Sequence, residues 1–262
     1  MIAKILLGNT GLFVSRIGLG TVKFGRNQGV RYPASFALPS DRDIDELLSY
    51  ARDLGINLLD TAPAYGLSEE RLGHALKKNR KDFILCTKVG EEFADGQSHF
   101  DFGEKSVRKS IERSLQRLKT DELDIVLVHS NGEDSDIIEK YCIFEVLQTY
   151  KQAGIIRAYG MSTKTLAGGM QAVDQSDIVM VTYNPIYPDE QPVIAYAKQK
   201  NKAVLIKKAL ASGHIETLSK ENPVETAINF IFREPGVHSV IVGTLNKEHL
   251  REVIECARLT II

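Results

Sequence analysis

Four side chains in the first half of the chain carry its clearest chemical signal. Three apolar runs each end in a polar group: Asn57–Thr61 contains Asp60, Phe83–Lys88 ends in Lys88, and Leu123–His129 ends in His129. Tyr65 follows Asp60 closely, in Asp-Thr-Ala-Pro-Ala-Tyr-Gly. A polar group at the end of an apolar strand is costly unless it is paired or hydrogen-bonded. Taken singly, each has an ordinary reading: a loop cap, a solvated charge, a satisfied imidazole, a packed ring. Together, leaving successive strands at the same end, they bring an acid, a base, an imidazole and a phenol to one rim. Groups of these kinds exchange protons with a bound substrate.

The elements that must position them alternate along the chain. Strands are expected at Ile17–Thr21, Asn57–Thr61, Phe83–Lys88, Leu123–His129, Ile156–Ser162, Ile178–Tyr183, Ala203–Lys207 and Ser239–Gly243. Amphipathic helical stretches lie between them. In Asp41–Leu54 the residues Ile44, Leu47, Leu48, Ala51 and Leu54 share one face, with Ser40 as N-cap and Gly55 as stop. In Glu104–Lys119 the stripe is Val107, Ile111, Leu115 and Leu118, and Asn222-Pro223 opens a further helix. Runs such as DIVLVH and SVIVG are apolar nearly throughout, as a parallel sheet covered on both faces requires. Eight such units are economically closed into a (β/α)8 TIM barrel, an α/β fold whose chemistry sits where the strands end. The competing doubly wound sheet lacks its G-x-G-x-x-G fingerprint, because Gly18-Leu19-Gly20 continues as Thr-Val-Lys. KILLGNTGLFVSRIG reads as a β-hairpin turning at Gly8-Asn9 and closing one barrel end. Residues 1–262 are expected to form a single domain. Gly168-Gly169 reads as a loosened helix start.

Composition narrows the function classes. Lys+Arg 33 against Asp+Glu 34 gives a net charge of −1, with no basic block to attract nucleic acid. No apolar stretch is long enough to span a membrane. The N-terminus shows no cleavage-site pattern, and Cys86, Cys142 and Cys256 are few and scattered. A cytoplasmic protein with reduced thiols is expected. His74 and His99 lack metal-ligand spacing, so no catalytic metal is expected. Phe93, Phe100 and Phe102 line either a substrate pocket or their own loop.

The opening LGNTGLFVSRIGLGT and the segment LLDTAPAYGLSEERLGHAL resemble the aldo-keto reductase superfamily. The likeness runs on through TKVG, the strand ending in His129, YGMST and IVGTLNKEHLREV. It implies that Asp60, Tyr65, Lys88 and His129 form a catalytic tetrad for reducing aldehydes or ketones to alcohols. It also implies a nicotinamide cofactor, NADP(H) first and NAD(H) second. Hydride addition places negative charge on the carbonyl oxygen, so a proton donor must stand beside it. A phenol near pKa 10 is a poor donor unless a neighbouring Lys88 ammonium lowers it. Asp60 would hold Lys88, and His129, as a neutral imidazole, would donate to the carbonyl oxygen and orient it.

The same resemblance implies cofactor contacts. Ser162, with Thr163 after it, would meet the nicotinamide amide, and Gly20 and Thr21 would lie beside the cofactor. Lys208, Ala209, Leu210, Ser212 and Gly213 would enclose the pyrophosphate. Gly243, Thr244, Asn246, Lys247 and His249 would form the adenosine phosphate site, helped by a helix N-terminus. This chain departs from the family at Thr163 (commonly Asn), Met180 (commonly Gln), the neighbourhood of Lys207 (commonly an aromatic), His249 (commonly Arg) and Val253 (commonly Asn). With His249 in place of Arg, NADPH is expected to be preferred less strongly than usual. Variable segments at Lys23–Pro39 and Glu91–Gly103, with only a short tail after the last helix, point to a wide mouth for small carbonyl compounds. A monomer is the expected state. The alternative on this fold is a nucleotide-binding regulatory protein with little turnover.

Overall fold

The computed structural model describes residues 1–260. A hairpin, β1 (Lys4–Leu6) and β2 (Phe13–Ser15), precedes β3 (Ile17–Gly20), the short α1 (Val22–Gly25) and α2 (Asp41–Asp53). Then come β4 (Leu58–Asp60), α3 (Ser68–Ala75), β5 (Ile84–Val89), a second hairpin β6 (Glu91–Ala94) and β7 (Gln97–Phe100), and α4 (Glu104–Leu118). β8 (Leu123–His129) leads to α5 (Asp134–Tyr141) and α6 (Ile143–Gln152). The remainder is β9 (Ile156–Ser162), α7 (Leu166–Gln175), β10 (Ile178–Thr182), α8 (Gln191–Gln199), β11 (Ala203–Lys207), α9 (Pro223–Phe232), β12 (Ser239–Val242) and α10 (Lys247–Thr260).

Eight parallel strands close in the order β3-β4-β5-β8-β9-β10-β11-β12, with β12 returning to β3. Alternation along each strand explains why the runs are apolar throughout. Ile125 and Leu127 face the barrel interior, whereas Val126 and Val128 face the helices. The first hairpin seals the N-terminal mouth: Leu7, Leu12 and Val14 are buried against Leu58, Ile178 and Ala203 inside the barrel. Around the outside, Ile44, Leu47, Leu48 and Ala51 of α2 are buried as the sequence periodicity requires. Ser40 caps that helix in a full capping box with Asp43, worth about 1 kcal/mol.

Two local expectations change. Gly168 and Gly169 lie inside α7, which starts cleanly at the Thr165 cap. A Cβ on Gly168 would come within 2.0 Å of Asp134, and one on Gly169 within 2.6 Å of Val193. These glycines are there for close helix approach, not for a loose start. The Glu91–Gly103 loop is the β6–β7 hairpin, and its register carries Glu91 opposite Phe100.

Candidate active site

Strand parity builds the site. Leu58, Cys86, Leu127, Ala158 and Leu205 point into the barrel. The inward positions in step with them at the C-terminal rim are Asp60, Lys88, His129, Ser162 and Lys207. Lys88 Nζ donates to Asp60 Oδ1 at 2.6 Å and to the Thr61 carbonyl at 2.8 Å. The Tyr65 hydroxyl donates to Asp60 Oδ2 at 3.3 Å, and Lys88 Nζ lies 4.9 Å from the phenol ring centre. Tyr65 is folded back over Asp60 by the turn Pro63–Tyr65 and by Gly66, whose φ is +60°. A Cβ on Gly66 would meet the Gly25 carbonyl at 2.3 Å, so glycine is required there. His129 stands edge-on to Tyr65, with ring centres 6.3 Å apart.

The electrostatics correct one expectation. Burial opposes the Lys88 charge, but Asp60, with Tyr65 and Cys86, more than offsets it and pushes the Lys88 pKa above its ordinary value. At Tyr65, burial and the Asp60 carboxylate raise the phenol pKa, and Lys88 only partly offsets them. Lys88 therefore does not leave the phenol with a lowered pKa, because burial and the Asp60 carboxylate together outweigh it. Tyr65 holds its proton. His129 is pushed below its ordinary pKa by burial, with Glu91 pulling it back and Lys88 and Lys207 opposing. Glu91, from the β6–β7 hairpin, places Oε2 2.7 Å from His129 Nδ1, off the ring's N–H axis. Burial raises the Glu91 carboxyl, yet its contacts with His129, Ser98 and Arg26 bring it down to about 2.

These groups open into one cavity of about 500 Å³, of the size that small-molecule and cofactor sites occupy. Asp60, Tyr65 and His129 line one end, with Lys88 buried behind Asp60. From there the cavity is lined by Gly20, Thr21, Lys208, Ala209, Leu210, Ser212, Gly213, Gly243, Thr244 and His249, reaching the first turn of α10. A dinucleotide fits this shape. Gly20 and Gly243 face each other across the floor, where a Cβ on Gly20 would meet Gly243 at 3.6 Å and one on Gly243 would meet the Tyr32 hydroxyl at 3.3 Å. Side chains at either position would fill the cradle. A groove of similar volume between α2 and α3 is lined by residues such as Asp41, Arg52 and His74, away from the rim residues.

Besides Lys88, four residues expected at the site do not line that cavity. Ser162 is buried and accepts a hydrogen bond from Lys207 Nζ at 2.8 Å. Thr163 turns its hydroxyl to Glu190, at 3.3 Å. Asn246 uses its side-chain oxygen to accept from the Glu248 N–H at 2.8 Å, a cap for α10. Lys247 pairs outward with Glu46 at 3.1 Å. Conversely, Glu91, Tyr32 and Glu252 stand at the site without having been singled out for it, and Lys207, named only as a departure near the nicotinamide, lines the cavity. The Ala203-Leu205-Lys207 alternation would have identified Lys207 as inward-facing. Nothing local marks Glu91, because its approach to His129 depends on how the hairpin folds over the rim.

Known proteins share this fold. A profile of the Aldo/keto reductase family matches residues 16–224. YqkF, an uncharacterised oxidoreductase of Bacillus subtilis, is 28% identical over 97% of this chain and 90% of its own length. YhdN, an aldo-keto reductase of the same organism, is 32% identical over 79% of this chain and 62% of its own length. A solved structure from Pseudomonas aeruginosa, assigned to the aldo-keto reductases, superposes with a TM-score of 0.91 at 47% identity, covering 99% of this chain and 95% of that one. The holo form of a Bacillus halodurans aldo-keto reductase shares the fold, with a TM-score of 0.82 at 23% identity over 98% of this chain and 91% of that one.

Proposed function

The chain belongs to the aldo/keto reductase family, NAD(P)H-dependent oxidoreductases that reduce carbonyl compounds, and we propose that Tyr65 is its proton donor to small aldehydes and ketones. The observation that carries this reading is the buried Lys88–Asp60–Tyr65 chain opening onto the cavity beside His129. The bound nicotinamide supplies the hydride. Tyr65, with its pKa raised, arrives protonated and gives that proton to the developing alkoxide. Lys88, held by Asp60 and the Thr61 carbonyl, stays charged and stabilises the phenolate left behind. His129 orients the carbonyl from the opposite wall. Ser212, Gly213 and the start of α10 supply donors for the phosphates.

We further propose NADP(H) as the preferred cofactor, with NAD(H) accepted at little cost. Lys247 is paired with Glu46, Arg251 is engaged by Glu248 and Glu255, and Glu252 adds an acidic group to the wall. His249 is left as the side-chain partner for a 2′-phosphate at this end of the cavity. Three free cysteines support a reducing, cytoplasmic setting. The test is NADPH consumption across a panel of simple aldehydes and ketones, beside direct NADPH binding. Turnover with several small carbonyls is expected. Binding without turnover would instead mark a nucleotide-binding regulatory protein.

A further inference from the structure

A cation at the rim remains that neither the tetrad nor the phosphate contacts use. Lys207 ends β11 at an inward-facing position and lines the same cavity as Tyr65 and His129. Its side chain crosses the end of β10 to reach β9, donating to Ser162 Oγ at 2.8 Å and to the Thr163 carbonyl at 2.5 Å. Both acceptors are uncharged. An ammonium has three donors, so one is left for whatever enters the cavity. Ser162 is the register partner of His129 across β8 and β9, which sets Lys207 beside the tetrad end.

A nicotinamide ring that gives a hydride to a carbonyl held by Tyr65 and His129 must lie at that end. The oxidised ring is a cation and the reduced ring is neutral. A fixed positive charge in the wall repels the first and not the second. We propose that Lys207 sets the balance between the two redox forms, favouring the reduced cofactor and expelling the oxidised one. This rests on the reading that the cavity takes a nicotinamide cofactor with its ring beside the tetrad.

The charge is also adjustable. Burial pulls the Lys207 pKa down, Glu190 and Asp134 pull it back, and Lys208 and Lys164 push it down again, to about 7. Glu190 faces it from the start of α8, Asp134 from α5, Lys164 from the loop after β9, and His129 from β8. The preference for the reduced form is therefore strong in mild acid and fades as the amine deprotonates.

The test measures the dissociation constants of NADPH and NADP+ by nucleotide fluorescence and competition, without turnover. In the unmodified protein, the ratio of the NADP+ constant to the NADPH constant should fall on the order of tenfold between about pH 6 and about pH 8.5. The 2′-phosphate and its partners, His249 included, are common to both forms and cancel in the ratio. In Lys207→Met the ratio should be low and flat with pH. In Lys207→Arg it should stay high and flat, because the charge persists. Both forms binding to Lys207→Met with an unchanged ratio would overturn the role of Lys207 and leave the cofactor reading intact. Failure of the unmodified protein to bind either form would overturn that reading and this inference with it.

Discussion

Replacing Asp60 by Asn leaves the Lys88 ammonium, 1% exposed, with uncharged acceptors, the amide oxygen and the Thr61 carbonyl, and no counter-charge. Replacing Lys88 by Met leaves the Asp60 carboxylate, 4% exposed, with the Tyr65 hydroxyl 3.3 Å away. An uncompensated buried charge costs about 3–5 kcal/mol. In a chain of this size that lowers the melting temperature on the order of 10 °C for either variant. The intact pair, at 2.6 Å, contributes far less than this suggests, because desolvating both ions offsets most of their attraction. The double variant Asp60→Asn/Lys88→Met therefore melts close to the unmodified protein, with a coupling energy of about 3 kcal/mol or more between the sites. Thermal melts of the four proteins measure this, and NADPH consumption measures the accompanying loss of turnover in all three variants. A double variant destabilised by the sum of the two singles would refute the reasoning, since the coupling between the sites would then be zero.

Other outcomes follow from the same geometry. Tyr65→Phe removes the hydroxyl and keeps the ring; turnover should fall at least about a hundredfold with NADPH affinity nearly unchanged, and retained turnover would remove Tyr65 as the acid. Glu91 lies against His129 Nδ1 and pulls up a pKa that burial lowers, so the kcat/KM–pH profile should carry a limb below the usual histidine value. Glu91→Gln should move that limb to lower pH, and a pH profile that does not move would disconnect Glu91 from His129. Glu91 itself is held at about 2, below its ordinary value, so its pairing is fully present above the usual carboxylate range and is lost as pH falls towards 2. Melts of Glu91→Gln and the unmodified protein should accordingly differ near neutrality and converge in strong acid. His249→Arg should raise the NADPH-over-NADH affinity ratio by about tenfold or more, because a guanidinium pairs with two phosphate oxygens; an unchanged ratio would place the 2′-phosphate elsewhere.

The barrel was legible because each of its strands is a short apolar run followed by a helix with one apolar face, and both patterns are local. The meeting of Asp60, Lys88 and His129 at one rim was legible for a related reason. Polar residues ending apolar runs violate the pattern around them, and the parity that buries Leu58, Cys86 and Leu127 brings Asp60, Lys88 and His129 to one rim. What the sequence did not disclose depends on distance between segments. Lys247 was grouped with the phosphate site, but Glu46 on α2 draws it outward, and the pair spans most of the chain. Asn246 had two uses available, and capping α10 took its side chain. The phenol was expected to be lowered because Lys88 is close, yet burial and the Asp60 that places Lys88 together outweigh it at Tyr65.

That last reversal changes how the tetrad should be understood. A phenol with a lowered pKa would exchange its proton easily but would spend part of its time without one. A phenol raised by Asp60 and by burial enters each cycle loaded, which suits reduction, where the proton must be present when charge appears on oxygen. The cost falls on the return step, since the phenolate formed is unstable beside Asp60 and must regain a proton quickly. Lys88 limits that cost by remaining charged, with its own pKa raised. Lys207 adds a second cation at the same rim, one that hydrogen-bonds Ser162 and the Thr163 carbonyl instead of a carboxylate. On the proposed mechanism the two lysines have separate tasks: one charge is committed to the proton donor, and the other is left to act on what shares the cavity with it.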